Sequence, residues 1–237
     1  MALQTGFRTH AIGVFAYAVA MAYLESAIVV YLTGALGGQV GVVFPLQPVS
    51  AVGSYAAIEM GREAATIVMI AAVGLLVGQT GLERLAWAAV VFGVWDIAYY
   101  GWLWVFTSWP GSLGATDLLF LLPVSWAGPV WSPIAVSAAL IGVGLAAARR
   151  LRAGHALHVD ARHWAAGLAG GVTVILSYTM DTGSLLAGGL PGTYLWPVFV
   201  AGMALALGAA AHALRAVHPC GGSPVPSRND PPAPHTV

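Results

Sequence analysis

The sequence predicts an all-α integral membrane protein, a bundle of six transmembrane helices with a short interfacial or re-entrant helix between spans three and four. Three observations carry that expectation. Of the 237 residues, 59% are hydrophobic and only 8% charged, whereas a soluble domain is roughly 45–50% apolar and about a quarter charged. The apolar residues fall in runs long enough to cross a hydrocarbon core of ~30 Å, which takes roughly 20 helical residues. The arginines, finally, sort to alternate connections along the chain.

Cut at glycine, proline and charge clusters, the apolar runs give spans at Ala11–Leu32, Ser54–Val77, Leu85–Phe106, Val130–Ala148, Trp164–Met180 and Tyr194–Leu214. The first could pass for a secretion signal, since Arg8 precedes it and Ala18-Val19-Ala20 resembles a cleavage site. Its apolar run continues to Leu32, however, and it is expected to be retained as a helix. The stretch Asp117–Val124 is too short to cross. It is expected as a helix in the interface or re-entering the bilayer, capped by Thr116 and ended by Pro123. Residues 1–218 then form one transmembrane domain, and 219–237, rich in Pro, Ser, Gly and Asn, a disordered tail.

Orientation follows from arginine placement, because basic residues near span ends stay on the cytoplasmic side. Arg8, Arg84, Arg149, Arg150, Arg152, Arg162, Arg215 and Arg228 all fall on one side, while Thr33–Gly53, Thr107–Pro129 and Asp181–Thr193 contain no arginine. Both termini are expected to be cytoplasmic, in the plasma (inner) membrane. Trp109, Trp126, Trp131 and Trp196 then lie near the outer boundary, where indole rings favour the headgroup level.

Composition excludes several functions. Lysine is absent, so no Schiff-base lysine exists. The net charge is zero and there is no basic run, which argues against nucleic acid as a partner and leaves the lipid bilayer as the expected one. The single cysteine, Cys220, allows neither an intrachain disulfide nor a cysteine metal cluster. Of the histidines, only His10 and His212 could pair as axial haem ligands, and that pairing is disfavoured. No cofactor or metal is identified. Gly34 with Gly38 and Gly167 with Gly171 match a Gly-xxx-Gly pattern, expected to permit close helix approach.

The remaining signal is the depth of the acids. Glu25 falls in the outer half of span one, Glu59, Arg62 and Glu63 in the outer half of span two, and Asp96 at or outside the centre of span three. Asp117 and Asp181 lie in the outer loops. Glu59, Arg62 and Glu63 share one helix face, which Thr66 extends inward. An ionised carboxylate near the bilayer centre costs on the order of 2.5–3.5 kcal/mol, so such groups face the bundle interior and meet partners. Glu25, Glu59 or Glu63, and Asp96 are therefore expected in a common interior within reach of Arg62, directly or through water, with the hydroxyl of Tyr99 or Tyr100 helping to line it.

The candidate binding residues are thus Glu25, Glu59, Arg62, Glu63, Asp96, Tyr99, Tyr100 and Asp117. The leading expectation is a site for a cation, a proton or a small polar solute, in a transporter or a binding subunit. An intramembrane enzyme acting on a lipid or isoprenoid, and an assembly subunit of a homo- or hetero-oligomeric complex, stay open beside it.

Overall fold

A computed structural model describes residues 2–35, 55–120, 126–180, 192–215 and 217–219. Among them six helices follow one another: α1 (Ala2–Ala35), α2 (Tyr55–Val77), α3 (Gly81–Thr107), α4 (Trp131–Arg152), α5 (Ala161–Thr179) and α6 (Trp196–Arg215). Five of them, all but α5, are long and apolar enough to cross a membrane. α5 has 19 residues, or roughly 28 Å of helix at 1.5 Å per residue, but Arg162, His163 and three glycines dilute its apolar character. Large apolar side chains point outward along the spans, Leu76 being 86% and Ile12 68% exposed. Such a sheath suits lipid and would be costly in water. The chain is therefore compatible with a multi-pass membrane protein.

Local chemistry sets the helix ends. Thr80 caps α3, its hydroxyl accepting from the Glu83 amide at 3.2 Å, while the Glu83 carboxylate accepts from the Gln79 amide at 3.0 Å. This reciprocal pairing satisfies amides that a helix start leaves orphaned. Asp160 caps α5 in the same manner, accepting from the Arg162 and His163 amides. The last turn of α4 carries Arg149, Arg150 and Arg152, which complements the negative end of the helix dipole.

α3 is the axis of the bundle. α1, α2 and α4 pack on it, and Trp87, Val90, Val91 and Val94 of α3 meet Val14, Ala18 and Ala22 of α1 and Ala148 of α4 in the main core. α5 and α6 form a second unit held by glycines: a Cβ at Gly170 would fall 2.6 Å from the Ala206 nitrogen and 2.7 Å from the Gly202 oxygen. This pair reaches the rest of the bundle mainly through a smaller cluster of Val174, Tyr178 and Phe199 with Leu119, Trp126 and Trp131. Trp131 of α4 stacks on Trp196 of α6 at 3.7 Å between centroids.

The described part of the segment expected as a short helix, up to Phe120, is instead a strand, and the rest of it lies outside the described residues. β1 (Thr116–Phe120) runs antiparallel to β2 (Trp126–Pro129), with Asp117 opposite Gly128, Leu118 opposite Ala127 and an irregularity before Phe120. A brief apolar run has no periodicity with which to choose between helix and strand. The neighbouring Trp126-Ala127-Gly128-Pro129 offers a partner, and the ladder continues through Val130 N–H to Ala115 O and Trp131 N–H to Leu113 O. Pro123, proposed to end a helix, lies outside the described residues. The hairpin descends along α3: Asp117 meets Tyr100, and the Phe120 ring lies 6.3 Å from that of Trp95. The backbone groups of the two described strands are paired with each other along this ladder.

A smaller strand pair joins β3 (His155–Leu157) to β4 (Val217–Pro219) at the opposite end, with His155 opposite Pro219. The rest of the expected disordered tail lies outside the described residues.

Candidate functional site

The α1–α2 cleft holds the densest polar cluster. Glu25 faces inward from α1, where the small residues Ala22 and Ser26 let the helix lie close to α3: the Ser26 hydroxyl donates to the Tyr99 carbonyl at 3.0 Å. From α2, Arg62 forms an ion pair with Glu25 and another with Glu59 of its own helix, its Nε donating to Glu59 Oε1 at 2.9 Å. Thr66, one turn further along, is buried and directs its hydroxyl toward Glu25 Oε2 at 3.4 Å. Glu63, on the same face, is 6% exposed. The i, i+3, i+4 spacing of Glu59, Arg62 and Glu63 produces this convergence, since those positions share a face.

Asp96 does not join Arg62. It lies on another side of α3, toward α4, where the Ser137 hydroxyl donates to its Oδ2 at 2.8 Å. Among the described residues Asp96 makes no direct ion pair with Arg62, and its turn toward α4 follows from helical geometry. Asp96 and Ser26's neighbour Tyr99 are three positions apart, which leaves an angular offset of about 60° that α4 exploits. Asp181, also placed with the outer acids, lies outside the described residues.

Tyr99 and Tyr100 connect the two regions. Tyr99 is within electrostatic range of Arg62 and Glu59 on one side and of Asp96 and Asp117 on the other, and its ring lies 5.2 Å from that of Tyr100. The Tyr100 hydroxyl donates to Asp117 Oδ2 at 3.0 Å, and the Leu118 amide donates to Asp117 Oδ1 at 2.9 Å. Burial pushes the Asp117 carboxyl up to about 7, against the opposing effect of these two hydrogen bonds. Trp102 donates its indole N–H to the Val19 carbonyl at 3.1 Å, and Trp104 is exposed.

Beside Asp96 a cavity of about 400 Å³ opens between α3–α4 and α5–α6, roofed by the hairpin. Phe92, Phe120, Trp126 and Tyr178 line it, together with Gly167 and Gly171. Those two glycines were expected to bring helices together, but a Cβ at either would meet nothing within 4 Å. The close approach is made by Gly170, on an adjoining face.

Two polar arrangements at the arginine-rich end had no place among the candidates. Arg152 of α4 pairs with the buried Glu83 carboxylate, which also accepts from the Trp87 indole N–H at 3.1 Å, and Arg152 Nη2 donates to the Val77 carbonyl at 3.1 Å. His10 Nδ1 lies 3.0 Å from Arg152 Nη1. The Thr80/Glu83 capping pattern and the Glu83/Trp87 spacing are readable in the chain. Arg152, 69 residues away, has no local signal. His212 meets His163 rather than His10, at 2.7 Å between Nδ1 and Nε2, and His163 in turn contacts Asp160. The hydrogen bonds from His163 hold the Asp160 carboxyl below its ordinary range.

Among the described residues no group of three or more His, Cys, Asp or Glu is placed to hold a metal ion. The α1–α2 cluster sets the carboxylates of Glu25 and Glu59 against the single guanidinium of Arg62, with the Thr66 hydroxyl beside them. Compared with known proteins, the chain matches no family model, no curated protein and no solved structure.

Proposed function

We propose that the chain is a six-span plasma-membrane protein with cytoplasmic termini whose outer-half cluster of Glu25, Glu59, Arg62 and Glu63 binds a proton, a monovalent cation or a small polar solute, as a transporter or binding subunit. The observation that carries this reading is the charge balance around Arg62. One guanidinium contacts both Glu25 and Glu59, with Glu63 buried on the same face. More carboxylate than guanidinium charge at membrane depth calls for a further positive charge or for protons. The arginine-free loops supply the orientation, and α5, packed on α6 along its glycines, supplies the sixth span.

A structural reading also has an observation behind it: Arg62 bridges α1 and α2, which pack chiefly on α3. The two readings differ in their response to ions. Purified protein in detergent, melted across Na⁺, K⁺, Li⁺ and pH series, should gain stability saturably with one ion or with protons. A ligand that binds only the folded state adds about 2.7 kcal/mol at a hundred times its dissociation constant, and Glu63→Gln should reduce that gain. Melting curves indifferent to every ion, with a pH dependence that Glu63→Gln leaves unchanged, would leave only the structural reading. Reporter fusions at Gly114 and Gly154 should report opposite sides of the membrane, Gly154 inside.

A further inference from the structure

We infer that the cavity between α3–α4 and α5–α6 is a binding site for a hydrophobic organic cation, with Asp96 as its counter-charge. The site is separate from the Arg62 cluster and does not depend on the function proposed for it.

The cavity's size and lining argue for a ligand. About 400 Å³ lies within the ~300–1,000 Å³ range of small-molecule pockets. Among the described residues the wall is apolar apart from Asp96 and a few hydroxyl and indole groups, and Asp96 is the one formally charged side chain on it. Asp96 keeps some accessible surface although it lies deep in the bundle, and the cavity is what it faces. One carboxylate oxygen accepts from Ser137. Among the described residues no arginine lines the cavity, and Arg62 is engaged by Glu25 and Glu59.

The chemistry of the wall selects the kind of cation. A carboxylate in a low-dielectric pocket favours a positive partner. A bare metal ion would need several oxygens to replace its water shell, and here one carboxylate, the Ser137 hydroxyl and the Tyr178 phenol are the side-chain oxygens on an otherwise apolar, described wall. The cation must therefore bring its own apolar surface. Phe92, Phe120, Trp126 and Tyr178 offer aromatic faces, with Trp126 stacked on Tyr178 at an interplanar angle of 12°, and such faces attract cations. Gly167 and Gly171 leave room on the α5 side where a larger residue would intrude.

The test uses the full chain in neutral-lipid nanodiscs with two ions of matched shape and opposite charge, tetraphenylphosphonium and tetraphenylborate. Saturable binding of the phosphonium is expected, with the borate weaker by at least about tenfold, the equivalent of ~1.4 kcal/mol. Asp96→Asn keeps an acceptor for Ser137 and should weaken phosphonium binding by about tenfold or more. Gly171→Leu projects a side chain into the open space and should abolish binding without a loss of melting temperature. Glu63→Gln should leave it unchanged. Equal affinity for the two ions, unsaturable uptake, or undiminished binding by a folded Asp96→Asn or Gly171→Leu protein would overturn the assignment. Loss of binding in Glu63→Gln would place the cation in the other cluster and overturn it as well.

Discussion

Arg62 of α2 and Glu25 of α1 form an ion pair across helices that each pack on α3 rather than chiefly on one another. The pair is therefore a direct tie between α1 and α2 in the half of the bundle that holds the acids. Its partners are mostly buried, at 17% and 10% side-chain exposure, so little solvent is at hand to stabilise either charge alone.

Arg62→Ala should consequently be the most damaging substitution in this cluster. Stranding a buried charge by deleting its partner costs about 3–5 kcal/mol, and Glu25 and Glu59 would both lose their cation. Detergent melting curves should show the loss at neutral pH and partial recovery at lower pH, where protonation removes the stranded charge. Glu63→Gln, which reduces the negative charge while keeping shape, should melt near the parent or above it. An Arg62→Ala protein as stable as the parent at neutral pH would remove the arginine from its role as counter-ion.

Asp117 supplies a pH dependence of definite sign. Its carboxyl is pushed up to about 7 by burial, from about 3.9 in an unfolded chain, so the folded state binds more protons between those values. Stability contributed by this group is therefore full at low pH and declines as pH rises toward 7. Asp117→Asn keeps an acceptor for Tyr100 and removes the titration. Its melting temperature relative to the parent should rise from pH 5 to pH 8, and a difference that stays constant with pH would contradict the assignment.

At the other end of the bundle, Arg152→Ala should cost far more than Arg149→Ala, although both arginines stand in the last turn of α4. Arg152 is 11% and Glu83 3% exposed, and the removal leaves Glu83 buried with only the Gln79 amide and the Trp87 indole as donors. A loss of about 3–5 kcal/mol is expected for Arg152 against less than ~0.5 kcal/mol for a surface position. Chemical unfolding of the two variants in mixed micelles measures the difference.

The helices were legible in the chain because length and hydropathy are local properties. Spans one to four and six correspond to helices that satisfy both, with ends moved by some residues: α1 begins at Ala2 rather than Ala11, since nothing near Ala11 stops a helix. The face shared by Glu59, Arg62 and Glu63 was also legible, being a matter of spacing within one helix. Which acids meet across helices was not. Asp96 was placed by depth, and depth says nothing about rotation around the axis.

Residues within a few turns were enough to locate five of the long apolar helices, to say which of them carry acids, and to put Arg62 on one face with Glu59. The tertiary structure decided the rest. It made the 116–120 segment a strand, since pairing with 126–129 satisfies backbone groups that a short isolated helix would leave at its ends. It joined Arg152 to Glu83 and His163 to His212, contacts between residues far apart in the chain. It also turned Gly167 and Gly171 toward open space while Gly170 took the helix contact. A glycine pattern states only that side chains are missing along a face; whether a neighbour's backbone or a cavity fills that face depends on how the helices are rotated in the bundle.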